Sequence, residues 1–182
     1  MKAAVKDDWT TFPLPEKHAV LAADWYYNRE DVERIKLGLI PEVMEDKWFI
    51  YHADGWLFFH RSWTGFCIYE VELIEDGEYA RLGVIRVSRD LEQYRKSDDA
   101  FDLGLLRFLI DRLLLGRDVP FPTPPRHGNA VENALFRHSA VGHARSSDDM
   151  KEDCKKPKKR LTTIAHTRPA GKMKAGDSRH EA

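Results

Sequence analysis

The 182 residues, 42% hydrophobic and 11% aromatic, can bury one core but are few for two domains. No apolar run approaches the roughly 20 residues of a membrane-spanning helix, and the first residues lack the apolar stretch of a secretory signal. The two cysteines are far apart and supply neither a disulfide framework nor zinc-ligand spacing. We therefore expect a cytoplasmic protein with no membrane contact and no metal. The net charge of −1 divides into −6 for residues 1–144 (eighteen basic, twenty-four acidic) and +5 for residues 145–182 (eleven basic, six acidic), so nucleic-acid binding by the body is not expected.

The first forty residues predict an extended arm and two helices. Residues 1–15 contain two prolines and scattered aromatic residues, which favour an arm packed on the body. Residues 16–27 predict a helix. Asn28 then has the position of an N-cap, because acidic residues follow it in the first turn of a second helix. Gly38 suits the end of that helix because glycine tolerates positive φ.

Four aromatic and β-branched runs in the middle of the chain predict an antiparallel meander. The first pair of runs covers residues 47–52 and 56–62, and the second pair covers Phe66–Ile74 and Tyr79–Val87. An Asp-Gly dipeptide lies between the members of each pair and suits a tight hairpin turn. Nine of the twenty aromatic residues lie between Trp48 and Tyr69, so the first hairpin is expected to be the part of the sheet richest in aromatic side chains.

The segment after the sheet predicts one more substantial helix. Ser97-Asp98-Asp99 can cap a helix from Ala100 to Leu115, whose apolar stripe would cover one face of the sheet. Four prolines make residues 118–126 irregular, and residues 130–143 predict a last helix. The fold class expected from these elements is α+β, with about four antiparallel strands packed by helices.

The last part of the chain is polar and charged, with the basic run Lys155–Arg160 near its centre. This composition cannot bury enough apolar surface to offset the entropy lost on ordering, so disorder is expected. The predicted organisation is a single α+β domain at residues 1–145 and a flexible basic tail at residues 146–182.

His60 and Ser62 are the predicted catalytic residues. Alternation along a strand places both side chains on one face, and an imidazole beside a hydroxyl is compatible with general-base chemistry. The spacing matches neither a nucleophile elbow nor the order of a known triad. A hydrogen bond without a chemical role therefore remains the alternative.

Four neighbouring residues, Arg61, Trp63, Thr64 and Gly65, are the predicted ligand-binding residues. A guanidinium can hold a phosphate while an indole stacks on a base, and the Thr-Gly turn can bring backbone N–H groups close to an anion. In the alternative interpretation, Arg61 pairs with a carboxylate such as Glu70 or Glu72 while Trp63 belongs to the core.

An acidic cluster, Glu42, Glu45 and Asp46, precedes the first strand of the meander. Carboxylates can hold a divalent cation, but a hard cation needs more ligands than this cluster supplies. A solvated loop is the alternative. No phosphate loop, dinucleotide fingerprint, zinc ribbon or metalloprotease motif is present, so the sequence leaves the cofactor unknown.

The stretch Met44–Tyr51, continued by His60–Gly65 and by Ile68-Tyr69, resembles a group of short bacterial proteins. Some members of that group are labelled ADP-ribosyl-dinitrogen reductase hydrolase. The resemblance covers about residues 40–75 and implies a nucleotide-like ligand such as ADP-ribose. It assigns no active-site residue.

Two functions follow as hypotheses. In the first, the domain binds or hydrolyses an ADP-ribose-like or other nucleotide, with Arg61 holding the phosphate, Trp63 stacking, and His60 and Ser62 near the chemistry. In the second, the domain is a non-enzymatic interaction module whose aromatic sheet surface contacts a protein partner. The sequence leaves open whether the protein is an enzyme.

Overall fold

A six-stranded antiparallel sheet forms the frame of the structure, which is a computed structural model and describes residues 2–95, 98–122 and 138–141. The strands are β1 (His18–Ala22), β2 (Tyr26–Asn28), β3 (Trp48–Ala53), β4 (Trp56–Arg61), β5 (Cys67–Asp76) and β6 (Tyr79–Ser88). They lie in the order β1-β6-β5-β4-β3, and β2 pairs with β6 farther along that strand. The helices are α1 (Arg29–Leu37) and α2 (Asp99–Phe108), so the fold is α+β.

The predicted meander corresponds to β3 to β6 and is confirmed. Asp54 and Gly55 join β3 to β4 with φ values of 50° and 79°, and Gly77 begins the turn between β5 and β6 with φ 61°. Positive φ at these positions is the reason why the Asp-Gly pairs mark the hairpins. The sheet is larger than predicted because β1 and β2 add to the free edge of β6.

The predicted helix at residues 16–27 is wrong, because this segment contains β1 and β2. Side chains of β1 alternate between exposed and half-buried, as expected for a strand with one face on the core. Ala19 and Leu21 face inward, whereas His18, Val20 and Ala22 are exposed. Alanine and leucine are good helix formers, but pairing with β6 decides the local structure.

Helix α1 begins and ends where the sequence predicts. The Asn28 side chain accepts a hydrogen bond from the Asp31 backbone N–H at 2.9 Å, and Gly38 follows the last turn with φ 68°. Val32 and Ile35 bury the apolar face of the helix. The chain then returns along β3, because Leu39 and Ile50 exchange two backbone hydrogen bonds of 2.8 and 2.9 Å.

Helix α2 covers one face of the sheet, as predicted. Asp98 caps it by accepting from the Phe101 N–H at 2.9 Å, and a π-helical segment, Leu109–Leu114, continues it. Ser97 lies outside the described residues. The core between helix and sheet contains large apolar side chains from both layers, among them Leu57, Phe59, Val71, Ile85, Leu105, Leu106 and Ile110.

The opposite face of the sheet is covered in part by the N-terminal arm, which confirms the prediction for residues 2–15. Ala4 is buried there, and the Trp9 ring stacks on Phe49 with 6.0 Å between centroids. The arm includes one short 3-10 turn, Lys6–Asp8. It thereby brings Trp9 to the end of the β3–β4 hairpin strands.

Residues 118–122 are irregular, as predicted, and residues 138–141 form a helical turn that buries Ala140 and Val141. The rest of the predicted last helix and the predicted tail at 146–182 lie outside the described residues. No helix in the described ranges is long and apolar enough to cross a membrane.

Candidate interaction site

A tight turn at the end of β4 contains most of the residues singled out by the sequence. The Gly65 N–H donates to the Arg61 carbonyl at 2.7 Å, and the Arg61 N–H donates to the Phe66 carbonyl at 2.9 Å. Gly65 has φ 74°, and a Cβ there would lie 2.6 Å from the Thr10 carbonyl oxygen. The strand therefore ends at Arg61, and Ser62, Trp63 and Thr64 belong to the turn.

His60 is buried, with 2% of its surface exposed. Its Nδ1 lies 3.0 Å from the Gly65 carbonyl oxygen, so Nδ1 carries the proton and donates it. Its Nε2 is buried without a hydrogen-bond partner, and its ring stacks on Tyr51 with 5.6 Å between centroids. Burial lowers the pKa of His60, which favours the neutral imidazole.

Ser62 is also buried, and its hydroxyl donates a hydrogen bond to the Asp46 carbonyl oxygen at 2.6 Å. Both predicted catalytic side chains are thus hydrogen-bonded to backbone carbonyl groups. The structure places His60 near the end of β4 and Ser62 in the turn that follows, and it forms no hydrogen bond between these two described residues. Their catalytic role stays a prediction.

Arg61 is half-buried and binds the helical turn at 138–141. Its Nη1 donates to the Ala140 carbonyl at 2.9 Å, and its Nη2 donates to the Ser139 carbonyl at 2.7 Å. The guanidinium lies 4.9 Å from the centroid of the Trp48 ring, whose Nε1–H donates to the same Ala140 carbonyl at 2.8 Å. Burial lowers the pKa of Arg61.

The alternative partner for Arg61, a carboxylate on β5, belongs to another arginine. Glu70 accepts a hydrogen bond from Arg86 at 3.0 Å, and Arg86 lies over the ring of Trp56. Glu72 accepts from the Val84 N–H at 3.1 Å. The alternative is therefore wrong for both carboxylates, because Arg61 donates to backbone carbonyls instead. The alternative that places Trp63 in the core is wrong as well, because this side chain is on the surface.

Trp63 is 66% exposed and is nevertheless fixed in place. Its indole Nε1–H donates to the Met44 carbonyl at 2.7 Å, and the Lys47 ammonium lies 3.8 Å from its ring centroid. Thr64 is exposed, and its hydroxyl oxygen accepts from the Phe66 N–H at 3.4 Å. Trp63 is thus an exposed aromatic side chain held in one orientation.

The loop beneath Trp63 is organised by Asp46. The Asp46 carboxylate accepts from the backbone N–H groups of Glu42 at 2.9 Å and Val43 at 3.1 Å. This ties the acidic side chain into the loop and turns Val43 and Met44 outward. Met44 is 74% exposed and Val43 is also exposed. Among the residues that the structure describes, no three His, Cys, Asp or Glu side chains are arranged to hold a metal ion.

Val43, Met44 and Trp63 together form a surface that we call the Trp63 patch. The patch borders a shallow pocket of about 350 Å³, and the remaining walls come from Trp9, Pro41, Glu42, Asp46 and Ser62. The Trp9 Nε1–H donates to the Ser62 carbonyl at 2.8 Å and so anchors the wall contributed by the arm. The result is an apolar surface with acidic groups at its rim.

The sequence indicated Trp63 but missed Val43 and Met44. Their signal was present, since two apolar residues follow Pro41 and Glu42 in a stretch too polar for a strand. No protein-family model, no curated protein and no solved structure matches this chain.

Proposed function

We propose that this domain is a non-enzymatic interaction module that binds a protein partner through the Trp63 patch. The observation that carries the proposal is the exposure of Trp63 and Met44, at 66% and 74%, on a hydrogen-bonded platform. Large exposed apolar side chains in a contiguous group mark interaction surfaces. Tryptophan is also among the residues that contribute most to binding energy at protein interfaces.

The rigidity of the platform supports this proposal. Trp63 is held by the Met44 carbonyl and by Lys47, and the loop carrying Val43 and Met44 is held by the Asp46 carboxylate. A surface that is already ordered loses little conformational freedom when a partner binds. The side chains are therefore preorganised for contact.

The chemistry of the pocket favours a partner segment with an apolar anchor beside a basic residue. The anchor would lie between Trp9, Met44 and Trp63, while the exposed Glu42, which lines the pocket, would attract a lysine or arginine of the partner. The balance of −6 over residues 1–144 favours the approach of a basic segment over an acidic one.

Nucleotide binding by Arg61 stays a prediction with less support. Two of the five Arg61 N–H donors are engaged by backbone carbonyl groups, so a phosphate at those two donors would have to displace the helical turn at 138–141. His60 is buried on the opposite face of the sheet, against Phe49 and Tyr51, and the Ser62 hydroxyl is bound to the Asp46 carbonyl. These contacts favour a structural role for the three residues, and the exposed Trp63 is shared by both hypotheses.

Selection from a random peptide library on the immobilised full chain tests the proposal. We expect the enriched peptides to share an aromatic or large aliphatic residue flanked by lysine or arginine. Their dissociation constants, measured by calorimetry, should rise at least about tenfold for Trp63→Ala, because loss of a central interface aromatic costs roughly 2 kcal/mol or more.

Two further variants make the result interpretable. Met44→Ser removes an exposed side chain but keeps the carbonyl that orients Trp63, so it should weaken binding while leaving the fold intact. Tyr79→Ala removes an exposed aromatic residue far along the chain and should leave binding unchanged. Equal affinity for wild type, Trp63→Ala and Met44→Ser would exclude the patch as the binding surface.

A further inference from the structure

The sheet has two edge strands, β3 and β1, and they differ in whether another segment pairs with their outer side. On the outer side of β3, Leu39 and Ile50 exchange two backbone hydrogen bonds. At the other edge, β1 pairs with β6 on its inner side, and no segment among residues 2–95, 98–122 and 138–141 pairs with its outer side. An edge of this kind offers unpaired N–H and C=O groups to another strand.

The register shows which backbone groups of β1 point outward. The Arg89 N–H donates to the Lys17 carbonyl at 2.8 Å, in register with the pairing of His18 with Ser88. Inward and outward hydrogen bonds alternate along an antiparallel strand, so Lys17, Ala19 and Leu21 face β6. The N–H and C=O groups of His18, Val20 and Ala22 therefore point away from the sheet.

The composition of this edge is unusual for a strand left open. Residues 19–23 read Ala-Val-Leu-Ala-Ala and contain no charge and no proline. Exposed edges normally carry a lysine, a proline or a bulge that prevents further pairing. Val20 is 64% exposed, so the centre of the edge presents an apolar side chain as well as free backbone groups.

We infer that β1 pairs with β1 of a second copy of this chain, related by a two-fold axis, so that one sheet runs through both copies. A two-fold axis makes the strands antiparallel, and hydrogen-bonded pairs must join outward-facing residues. The register with the greatest overlap places Val20 opposite Val20 and His18 opposite Ala22. Each such pair exchanges two bonds, which gives about six backbone hydrogen bonds in all.

The side chains that flank the edge meet at the ends of the pairing. Glu16 and Lys17 lie at the start of the segment and Asp24 lies at its end, and all three are exposed. In the register centred on Val20, Asp24 of one copy lies diagonal to His18 of the other, which favours pairing, and opposite Glu16, which opposes it. The choice of a second copy therefore rests on the outward-facing backbone groups of His18, Val20 and Ala22, which are spaced symmetrically about Val20. Nothing in this inference depends on the Trp63 patch.

Sedimentation of the full chain over a hundredfold range of concentration tests the inference. Wild type should form a dimer, and Val20→Lys should raise the dimer dissociation constant at least about tenfold, because a charge at the centre of the edge opposes pairing. Val84→Lys is the matched control. Val84 is exposed too, but it lies on β6, which has a strand on both sides, so this variant should still dimerise.

Crosslinking tests the register directly. In a Cys154→Ser background, Val20→Cys should form an intermolecular disulfide, because directly opposite residues in a hydrogen-bonded pair lie about 5.5 Å apart at Cα. Val84→Cys should not. A wild-type chain that stays monomeric overturns the inference. The inference is also overturned if Val20→Lys still dimerises and Val20→Cys forms no intermolecular disulfide, because the dimer would then use another surface.

Discussion

Arg61 connects two distant parts of the chain through backbone carbonyl groups. Its guanidinium binds Ser139 and Ala140 at once, and Trp48 donates to Ala140 beside it. The planar fork of arginine suits two adjacent acceptors, and a cation is favourable at the carbonyl end of a helical turn. The residue thus fastens residues 138–141 to the sheet.

Replacing Arg61 with alanine should lower the free energy of unfolding by about 2–3 kcal/mol, because two hydrogen bonds from a charged, half-buried group are lost. Arg29→Ala is the control, since the Arg29 side chain is largely exposed and lies 3.9 Å from Glu78; it should cost less than about 1 kcal/mol. Chemical denaturation measures both values. Equal costs for the two variants would contradict the role assigned to Arg61.

The partner of Arg61 could not be predicted from the sequence. A strand arginine suggests a carboxylate on the neighbouring strand, and β5 offers Glu70. The true acceptors are main-chain oxygens 78 and 79 residues away, and every residue type has such an oxygen. Side-chain identity therefore carries no signal for this contact, whereas the exposure of Trp63 follows from its place in a turn.

His60 should make stability depend on pH. Burial holds the pKa of folded His60 below its ordinary value of about 6.5, so the unfolded state binds more protons at lower pH. The contribution to unfolding free energy is complete above pH ~6.5 and is lost as the pH falls toward the folded pKa, by about 1.4 kcal/mol for each unit of difference.

Denaturation at a series of pH values, in wild type and His60→Gln, measures this effect. The variant should lose less stability than wild type between about pH 7 and 5, the range in which histidine titrates. Part of the slope should remain, because burial lowers the pKa of His52 too. Parallel curves for the two proteins would show that His60 does not cause the dependence.

Among the elements, α1 and the hairpins follow from local sequence, whereas β1 and β2 do not. Asn28, Gly38 and the two Asp-Gly turns act through their own backbone conformation, which a sequence reveals. Residues 16–27 contain helix-forming alanine and leucine, and their strand conformation depends on β6, which lies about sixty residues later. Pairing at that distance overrides local propensity.

Gly38 and Gly77 provide a matched pair at positive φ, 68° and 61°. Gly77→Ala should lower the unfolding free energy by about 1 kcal/mol, the cost of left-handed backbone, since open space surrounds its Cβ position. Gly38→Ala should cost on the order of 3 kcal/mol, because the new Cβ would overlap the Ile50 carbonyl oxygen and break the Leu39–Ile50 bridge. Thermal or chemical denaturation of both variants tests this. Similar losses would contradict the close packing of Gly38 on β3.

In the whole molecule, different segments cover the two faces of the sheet. One face is buried under α2 and its π-helical continuation, and the other receives the N-terminal arm. The arm and the loop at 41–46 meet at the turn after β4, and there the Trp63 patch forms. The aromatic residues between Trp48 and Tyr69 mostly build the core, while Trp63 alone among the tryptophans in that span is fully on the surface.

The indole N–H signals of the five tryptophans show directly whether a partner binds at the Trp63 patch. Trp63, Trp9 and Trp48 each donate to a different backbone carbonyl, so their NMR resonances report on three separate contacts. When a selected peptide binds, the Trp63 and Trp9 resonances should shift and the Trp48 resonance should stay in place. Movement of Trp48 with Trp63 unmoved would contradict this prediction, because the ligand would then occupy the site of Arg61 and the turn at 138–141.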